Sequence, residues 1–481
     1  MPPVAGQRND DQMTSAPDLA ATLKRLDMLT NWEARPRAGM RVGLEPMLDL
    51  MARLGDPHRA FRSLHVAGTK GKGSVSALIE AALITAGWRV GRYASPHVER
   101  ITERVTLMGR EANESELARA LSLALDAYEA AVAAGTPAAT ASWFDMLTAA
   151  AFLMFRDAKL DFAVVEVGLG GRLDSTNVVP SEIAVVTNIE LEHTEVLGNT
   201  REAIAREKAG ILKAGTTLVT PLAADDEAGR VMVETAARLG ARLLRVPPAM
   251  AGEARTIEAQ NLAIVGVVLD RLGELDLVSR RPDEMKGRPE AGGPAKRPVG
   301  AWLLDPVTIA AARLPGRAER FDVVAPAAKK SDAPARKLPV ILDGAHVPFN
   351  LKAVLRDLRL QPDLQGPLVA VAGIATDKDA QGLIESLAAE AATVIFTQMP
   401  GGRGRKPAEL AEIATVVGLS CEIEPDQRQA FQRGVTRTAE LGGFLLVTGS
   451  LLLVGELRPL LRALSRQRPL KTGFRFSAKA R

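Results

Sequence analysis

The feature that most constrains the fold is a glycine-rich run, residues 68–74, set between two apolar stretches. Stretch 64–67 before it is typical of a buried strand, and stretch 75–86 after it is typical of a helix. Glycines allow several backbone N–H groups to face one anion, and a helix N-terminus adds a positive dipole. A strand, a glycine turn and a helix in this order predict a phosphate-binding loop, and therefore nucleotide chemistry.

Two side chains of this loop have predicted roles. Lys72 supplies a mobile cation, and the hydroxyl of Ser74 is placed to touch a magnesium ion. The spacing differs from the common phosphate loop, because Lys72 is followed by glycine before the serine and no glycine stands five residues before Gly71. Glycine-rich turns are more often connectors, but Lys-x-Ser at the start of a helix favours a nucleotide site.

Composition narrows the class of protein. The chain has one cysteine, Cys421, so disulfides within the chain are excluded. No run of eighteen apolar residues occurs and the N-terminal residues are polar, which predicts a cytoplasmic protein without a membrane partner. Residues 466–481 hold six basic and no acidic side chains against a formal net charge of +4, so the rest of the chain is near neutral. We interpret this tail as a solvated extension and expect no nucleic-acid partner.

Short β-rich runs alternate with amphipathic helical runs, which is typical of an α/β fold. The predicted strands are residues 162–167, 183–189, 217–220, 368–373, 394–398 and 444–448. The predicted helices include residues 116–132, 200–209, 226–239 and 429–441. Strands that are apolar on both faces predict mostly parallel sheets covered by helices on both sides.

Two polar stretches help to divide the chain. Residues 280–300 are rich in proline, glycine and charge, which predicts a disordered insertion or linker. Residues 326–339 predict a long loop between two strands. We expect the following organisation: a disordered extension over 1–20, a nucleotide-binding domain over 21–313, a smaller domain over 314–465 and a basic tail over 466–481.

Three polar side chains follow the predicted strands where ligands bind parallel sheets. Glu166 ends one strand, where a carboxylate can hold Mg²⁺. His193 follows the next strand at the same sheet edge and is a second candidate metal ligand. Lys208, on the helix after it, is a further candidate cation for phosphate. The plainer interpretations are a surface acid, a hydrogen-bonded structural histidine and a surface lysine.

Two compact turn motifs follow the linker. Residues 314–317 carry Arg317, and residues 343–346 carry Asp343 and a histidine. They predict a second domain that closes over the nucleotide.

Together these residues resemble the folylpolyglutamate synthase and dihydrofolate synthase family, a branch of the ATP-dependent Mur ligase superfamily. The resemblance runs from about residue 43 to about residue 458. Its motifs are residues 65–74, 95–97, 103–104, 144–148, 166–177, 188–213, 316–317, 343–346, 377–379 and 447–450. It implies a P-loop nucleotide-binding domain with a mostly parallel sheet and a smaller, Rossmann-like C-terminal α/β domain.

The resemblance implies an acid–amino-acid ligase that couples ATP cleavage to amide formation between a folate-type carboxylate and the amino group of L-glutamate. Transfer of the γ-phosphoryl group makes an acyl phosphate with a good leaving group, which the amine then displaces. ATP is the implied co-substrate and Mg²⁺ the implied metal, with K⁺ as a further candidate cation. The family's usual form is a monomer, and we expect the same here.

The resemblance also implies roles for single residues. The implied magnesium ligands are Ser95, Glu166 and His193. The implied ATP contacts are Gly71, Lys72, Gly73, Ser74, Asn261, Arg317 and Asp343. The implied catalytic residues are Lys72, Glu166, His193 and Lys208, of which Lys208 matches a lysine that is carbamylated in the family. The implied folate or dihydropteroate contacts are Gly43, Leu44, Ser142, Trp143, Phe144, Asp145, Leu173, Asp174 and Ser175.

Several positions depart from the commonest family pattern. Lys70 stands where bacterial members often have asparagine, and Val347 replaces an asparagine. Asp145 and Glu192 exchange the usual carboxylate lengths. Arg41 aligns with a dihydropteroate-contacting segment that begins with aspartate in some relatives. The acceptor therefore stays open between dihydropteroate, a reduced folate and both.

Three other functions stay open. A peptidoglycan-type Mur ligase needs a nucleotide-sugar domain before the phosphate loop, for which roughly sixty residues leave little room. A kinase or plain ATPase explains the loop but not the second-domain motifs. A noncatalytic folate-binding relative would keep the fold, but the candidate catalytic residues are all present. ATP turnover that requires both glutamate and a pteroyl substrate distinguishes the ligase from the last two.

Overall fold

The fold is built on two β-sheets. The computed structural model describes residues 17–33, 43–247, 256–275, 297–324, 337–402 and 404–466. The strands of the first sheet are β1 (Arg62–Ala67), β2 (Val90–Tyr93), β3 (Val105–Leu107), β4 (Arg110–Glu111), β5 (Phe162–Glu166), β6 (Ile183–Val186), β7 (Thr217–Thr220) and β8 (Arg242–Arg245). The strands of the second sheet are β9 (Glu319–Val324), β10 (Lys337–Leu342), β11 (Leu368–Ala372), β12 (Ala391–Phe396), β13 (Cys421–Ile423) and β14 (Phe444–Thr448).

Both sheets are mostly parallel, as predicted. The first has the order β4-β3-β2-β5-β1-β6-β7-β8, in which the β2–β3 and β3–β4 pairs are antiparallel and the other pairs are parallel. The second has the order β13-β12-β11-β14-β10-β9, in which only the β9–β10 pair is antiparallel among the described strands. The carboxyl ends of the parallel strands therefore share one edge in each sheet, where ligands bind such folds.

Helices surround both sheets. Those of the N-terminal domain are α1 (Leu19–Leu26), α2 (Glu45–Arg53), α3 (Lys72–Thr85), α4 (Glu114–Ala134), α5 (Trp143–Asp157), α6 (Thr194–Leu197), α7 (Arg201–Ala209), α8 (Glu227–Arg238), α9 (Ile257–Glu274) and α10 (Pro306–Ala311). Those of the C-terminal domain are α11 (Pro348–Arg359), α12 (Ala380–Ala388), α13 (Pro407–Val416), α14 (Gln427–Leu441) and α15 (Leu451–Arg466). In the part of the chain that is described, no helix is long and apolar enough to cross a membrane.

The ends of the long helix α4 show how the sequence sets helix boundaries. The side chain of Asn113 accepts a hydrogen bond from the backbone of Glu116, whose carboxylate accepts one from the backbone of Asn113. This reciprocal pair satisfies two backbone donors that a helix start leaves open. Gly135 ends the helix with φ +64°, a conformation that glycine adopts without steric cost.

Burial explains why the central strands are apolar on both faces. All five residues of β5 are buried, because helices pack on both sides of the sheet. Helix α3 is also apolar around most of its surface, and it lies between the sheet and helices α9 and α10. The packing of α3 in the core of the first domain thus holds the glycine-rich segment between β1 and α3 in place.

Some sequence predictions need correction. Strands β2, β3, β4, β8 and β13 were not predicted, because they are short and carry polar residues; β8 reads Arg-Leu-Leu-Arg with both arginines exposed. Helix α1 begins at Leu19, so the predicted disordered range 1–20 was wrong at its C-terminal end. Val299 is buried, so the predicted insertion 280–300 was also wrong at its C-terminal end. Residues 1–16, 276–296 and 467–481 lie outside the described residues, as does Arg41.

We propose a domain boundary near residue 313. Helix α10 packs on α3 of the first domain, whereas β9 pairs with β10 of the second sheet. The chain between them, residues 312–318, is the point at which its contacts change from one domain to the other.

Candidate active site

A cleft of about 2450 Å³ is lined by residues of both domains. All of the predicted site residues line it except Leu44 and Lys208. Leu44 directly precedes helix α2, and Lys208 is buried with 6% of its surface exposed. The structure thus brings the predicted nucleotide, metal and acceptor residues to one cavity.

The glycine-rich loop connects β1 to α3 and is shaped by the end of β6. Gly68 and Gly71 have φ values of +144° and +84°, where side chains with a Cβ are strained. A Cβ on Gly68 would lie 1.9 Å from Oγ1 of Thr187. That hydroxyl donates to the Lys70 carbonyl at 2.5 Å, and Oδ1 of Asn188 accepts from the Lys70 N–H at 2.8 Å. The loop therefore has a defined shape before any ligand binds.

Two lysines donate to one carbonyl in this loop. Nζ of Lys72 lies 3.2 Å from the Gly68 oxygen, and Nζ of Lys208 lies 3.1 Å from the same oxygen. Burial is the main cause that lowers the pKa of Lys208 to about 7, and the nearby charge of Lys72 contributes in the same direction. A buried amine with this pKa is largely neutral above neutral pH, so it can act as a nucleophile there.

Glu166 ends β5 directly below the loop and is 4% exposed. Burial raises the pKa of its carboxyl, while the charges of Lys72 and Arg317 oppose that rise. The carboxylate accepts a hydrogen bond from the backbone of Ser95. A Cβ on Gly73 would lie 3.5 Å from Oε2 of Glu166, which is an ordinary van der Waals distance, so the start of α3 lies directly beside the carboxylate.

The predicted metal ligands form a mixed donor set. Glu166 offers a carboxylate, Ser95 a hydroxyl and His193 an imidazole, and all three line the cleft. No group of three or more His, Cys, Asp or Glu side chains within the described ranges is arranged to hold a metal. A buried carboxylate beside hydroxyl groups nevertheless fits Mg²⁺, which prefers hard oxygen ligands and retains several waters.

The C-terminal domain contributes Asp343 and Arg317. Asp343 follows β10, and its carboxylate accepts the backbone N–H groups of Ala318 and Ala345, each at 2.8 Å. Burial raises the pKa of Asp343, against the opposing charge of Arg317. Arg317 is exposed to the cleft. These bonds fix the turn that carries Arg317 against the end of the second sheet.

An ionic cluster that sequence reasoning missed joins the two domains across the cleft. Nζ of Lys70 lies 2.9 Å from Oε1 of Glu192, and Nε2 of His346 lies 3.5 Å from the same oxygen. Burial alone would raise the pKa of Glu192, but a hydrogen bond from His346 and the charge of Lys70 lower it overall. Burial lowers the pKa of Lys70 to about 8. No local pattern marks this cluster, because its members are distant in the sequence.

The predicted acceptor residues meet at the start of α5. Ser142 caps this helix and donates to Asp145 at 2.7 Å, and Ser175 donates to the other oxygen of Asp145 at 2.6 Å. Asp174 accepts the backbone N–H of Leu169 at 2.8 Å. These bonds order one wall of the cleft with polar groups that are already paired with each other.

A second unpredicted cluster lies in the same wall. Arg104 is 2% exposed and donates twice to the carboxylate of Glu33, at 3.0 and 2.6 Å. Its Nε–H donates to Nδ1 of His97 at 2.9 Å, and its guanidinium lies 5.0 Å from the ring centroid of Trp143. Arg104 was part of a predicted motif, but its partner Glu33 is 71 residues away and carries no local signal.

Asn261 is a further predicted ATP contact in the first domain. It lies on helix α9, is 6% exposed, and its Oδ1 would lie 2.8 Å from a Cβ on Gly71. The helix thus places an amide against the phosphate-binding loop.

Comparison with known families agrees with this arrangement. Residues 66–264 match the model of the Mur ligase middle domain, and residues 320–451 match that of the Mur ligase glutamate ligase domain. These ranges contain the first and second sheets in large part.

Curated relatives match over most of the chain. The dihydrofolate synthase/folylpolyglutamate synthase of Bacillus subtilis is 31% identical over 89% of this chain and 97% of its own length. The protein of the same name from Escherichia coli is 34% identical over 77% of this chain and 81% of its own length.

Solved structures extend the likeness to the whole fold. A bifunctional folylpolyglutamate synthase/dihydrofolate synthase of Yersinia pestis, complexed with AMPPNP and Mn ion, has a TM-score of 0.70 and 30% identity, covering 94% of this chain and 100% of its own. Escherichia coli FolC in complex with DHPP and ADP has a TM-score of 0.69 and 27% identity, covering 93% of this chain and 98% of its own. The chain therefore belongs to the folylpolyglutamate synthase and dihydrofolate synthase family of the Mur ligases.

Proposed function

We propose that this chain is an ATP-dependent ligase that joins L-glutamate to the carboxylate of a folate-type acceptor through an acyl phosphate. One observation carries the proposal: the phosphate-binding loop, the buried Glu166 and two residues of the second domain, Arg317 and Asp343, line one cleft. The ligands of the relatives support it. They include DHPP with ADP in one structure, and Mn, AMPPNP and L-glutamate in another.

The residues of the chain supply charge and alignment for the proposed reaction. The N–H groups at the start of α3 and the ammonium of Lys72 face the β- and γ-phosphates, and they neutralise charge that spreads during transfer. The acceptor carboxylate attacks the γ-phosphorus, which releases ADP. The amine of glutamate then attacks the acyl carbon, a C–N bond forms, and inorganic phosphate and a proton leave. Residues of both domains exclude water that would hydrolyse the acyl phosphate.

The proposed metal site consists of Ser95, Glu166 and His193, with the Ser74 hydroxyl at the loop. Mg²⁺ bound there would neutralise phosphate charge and help to orient the phosphates for in-line transfer. Glu166 and Ser95 would be held in place by the hydrogen bond from the Ser95 backbone to the Glu166 carboxylate. K⁺ is part of the proposal as a second cation, without assigned ligands.

We include carbamylation of Lys208 in the proposal. The ammonium first loses a proton, and the neutral amine then attacks carbon dioxide, forming an N–C bond and releasing a second proton. The two steps together convert a cation into an anion. The pKa of about 7 supports the step, because much of the amine is neutral at pH 7.5. NMR of the protein in ¹³C-labelled bicarbonate tests it: a carbamate resonance that Lys208→Met lacks supports it, and its absence from the native protein contradicts it.

The acceptor is best decided by direct assay. Phosphate release is measured with ATP, Mg²⁺ and L-glutamate, with either dihydropteroate or tetrahydrofolate as the acceptor. Turnover with both acceptors indicates a bifunctional enzyme, and turnover with tetrahydrofolate alone indicates a folylpolyglutamate synthase. No turnover with either contradicts the proposal, and turnover without an acceptor favours a plain ATPase.

The proposal also covers the setting of the enzyme. We propose a monomer that acts on small molecules in the cytoplasm, where ATP is available, without a nucleic-acid or membrane partner. Both domains needed for the cleft are in one chain, which supports the monomer. Sedimentation equilibrium at micromolar concentration tests this state, and a dimer would contradict it.

A further inference from the structure

We propose that Arg458 is a positioning residue that holds the metal side and the nucleotide side of the cleft together when the domains are closed. This inference rests on the proposed ligase function, and it adds a residue to which neither the motifs nor the family comparisons assign a role. We call Arg458 and its two carboxylate partners, Glu99 and Glu319, the Arg458 bridge.

The bridge crosses between the domains. Arg458 lies on α15 of the C-terminal domain and is 7% exposed. Its Nε and Nη2 donate to the two oxygens of Glu319, at 2.7 and 2.8 Å, while Nη1 donates to Glu99 of the N-terminal domain. One guanidinium thus uses its fork of donors on two carboxylates from different domains. Only arginine offers this geometry among cationic side chains.

On the C-terminal side, the bridge leads to Arg317. Oε2 of Glu319 accepts a hydrogen bond from the backbone of Gly316 at 2.9 Å, directly before Arg317. Gly344, which follows Asp343, donates to the Gly316 carbonyl at 3.1 Å. Through Glu319, Arg458 therefore stabilises the turn that carries Arg317 toward the nucleotide.

On the N-terminal side, the bridge leads to Ser95. Glu99 lies four residues after Ser95, in a loop whose backbone N–H groups at Val98, Glu99 and Arg100 all donate to the carboxylate of Glu103. These bonds make the loop a defined unit. The backbone of Ser95, at the other end of this loop, donates to the Glu166 carboxylate. A displacement of Glu99 would therefore also displace the proposed metal ligands Ser95 and Glu166.

A second observation shows that this loop and α15 fit closely. A Cβ on Gly455, one turn before Arg458, would lie 2.2 Å from the carbonyl oxygen of Val98. The side chain of Val98 packs with the apolar cluster of the C-terminal domain. Glycine at position 455 therefore permits the approach that brings Glu99 to Arg458, and any side chain there opposes it.

The first test compares variants of the bridge with a matched control. Glu99→Gln removes one charge and keeps the shape of the side chain, and Arg458→Met removes the guanidinium. Arg462→Met is the control, because Arg462 also faces Glu99 from α15, but at 3.6 Å and with a side chain that is 40% exposed. We expect kcat/KM for ATP to fall about 10- to 100-fold in the two bridge variants and by less than about 2-fold in the control.

A double-mutant cycle of Glu99 and Arg458 distinguishes a positioning role from a general effect on stability. If the bridge acts as one unit, the double variant Glu99→Gln/Arg458→Met loses little more than either single variant. Full additivity of the two losses, or an unchanged KM and kcat for ATP in Glu99→Gln with a normal melting temperature, would overturn the proposal.

A measurement of shape keeps this inference separate from the ligase proposal. Small-angle scattering is recorded with and without AMPPNP and Mg²⁺. We expect the ligands to reduce the radius of gyration of the native protein, and to reduce it less in Gly455→Ala, whose new methyl group opposes the Val98 carbonyl. Equal reduction in both contradicts the proposed bridge. A native protein that closes but never turns over ATP with glutamate contradicts the ligase function instead.

Discussion

At the scale of single residues, the decisive group is Lys72. Lys72→Ala should lower the rate of amide synthesis on the order of 10²–10³-fold, because the other lysine of the loop, Lys70, is held by Glu192 and Lys72 is the mobile cation for the transferring phosphoryl group. The free energy of unfolding should change by less than about 1 kcal/mol, since Lys72 lies at the start of α3 and outside the packed core. Phosphate release and thermal melting measure the two effects.

The matched control for this prediction is Lys352→Ala. Lys352 is an exposed lysine on helix α11 and outside the cleft. Its removal should leave both quantities unchanged. A Lys72→Ala protein with near-normal turnover would remove Lys72 from the proposed phosphate site.

The titration of Lys208 gives a prediction about stability. The folded protein binds this proton with a pKa of about 7, whereas the unfolded chain binds it with the ordinary value of 10.5. Between these values the unfolded state holds more protons, so the free energy of unfolding contributed by Lys208 falls as pH falls from about 10 to about 7. Below pH 7 the contribution is constant.

Urea unfolding in buffer free of carbon dioxide tests this sign. The stability of the native protein minus that of Lys208→Met should decrease from pH 10 to pH 7 and then level off. A flat difference over this range would mean that Lys208 keeps its ordinary pKa. An increase toward pH 7 would mean that the folded state favours the charged amine.

The sequence predicts individual site residues where a local pattern exists. Lys72, Glu166 and His193 each follow a predicted strand or turn, and the structure places all three in one cleft. Glu33 and Arg458 were not identified as site residues, because their roles come from partners 71 and 359 residues away. Contacts of that separation are set by the fold as a whole, so no local spacing encodes them.

At the scale of elements, the turn between β1 and α3 yields a prediction. Gly71→Ala puts a methyl group 2.8 Å from Oδ1 of Asn261 and forces a residue with a Cβ into φ +84°. We expect weaker ATP binding, because the loop and α9 must move apart. The backbone conformation alone costs about 1–2 kcal/mol of stability.

Gly55→Ala separates these two effects. Gly55 has φ +75°, close to that of Gly71, but a Cβ there meets no atom within 4 Å. Both variants should lose similar stability in thermal melting, and only Gly71→Ala should lose affinity for AMPPNP in calorimetry. Equal affinity in both variants would show that the contact with Asn261 does not matter.

Whole strands could be predicted where their apolar sequence pattern is strong. The strands of the two sheet centres were predicted because burial on both faces makes them continuously apolar, as in β5 and β14. The edge strands β8 and β13 were missed because one side of an edge strand faces solvent and selects polar residues. The β9–β10 pair was predicted as two strands, but the predicted loop 326–339 was too long, because β10 begins at Lys337. The sequence also did not reveal that the two strands are antiparallel.

At the scale of the whole molecule, the cleft predicts that a nucleotide stabilises both domains together. AMPPNP with Mg²⁺ at about 100 times its dissociation constant should add about 2.7 kcal/mol to the free energy of unfolding. Arg317→Ala should lose much of this gain, although Arg317 belongs to the domain that lacks the phosphate loop. Thermal melting with and without the ligand measures the gain.

Arg313→Ala is the control for this prediction. Arg313 is also an exposed arginine that lines the cleft, and it lies four residues before Arg317. It should keep the full ligand-induced shift. A full shift in Arg317→Ala as well would mean that the nucleotide is held by the first domain alone.

Three of the contacts between the domains are polar. Beyond the Lys70 cluster and the Arg458 bridge, the backbone N–H of Ile257, at the start of α9, donates to Asp357 of helix α11 at 2.6 Å. Each of these three contacts is polar and uses residues far apart in the chain, whereas Val98 adds apolar packing. Polar interfaces of this kind suit domains that separate and rejoin, because exposure to water costs them little.

The carbonyl of Gly68 connects the phosphate-binding loop to helix α7 through two lysines. It accepts from both Lys72 and Lys208, which fills its two lone pairs. The carbamate proposed for Lys208 would replace the ammonium donors with one N–H and two acceptor oxygens, and the carbonyl would repel those oxygens. The hydrogen bonding at the Gly68 carbonyl would therefore differ between the free amine and the proposed carbamate.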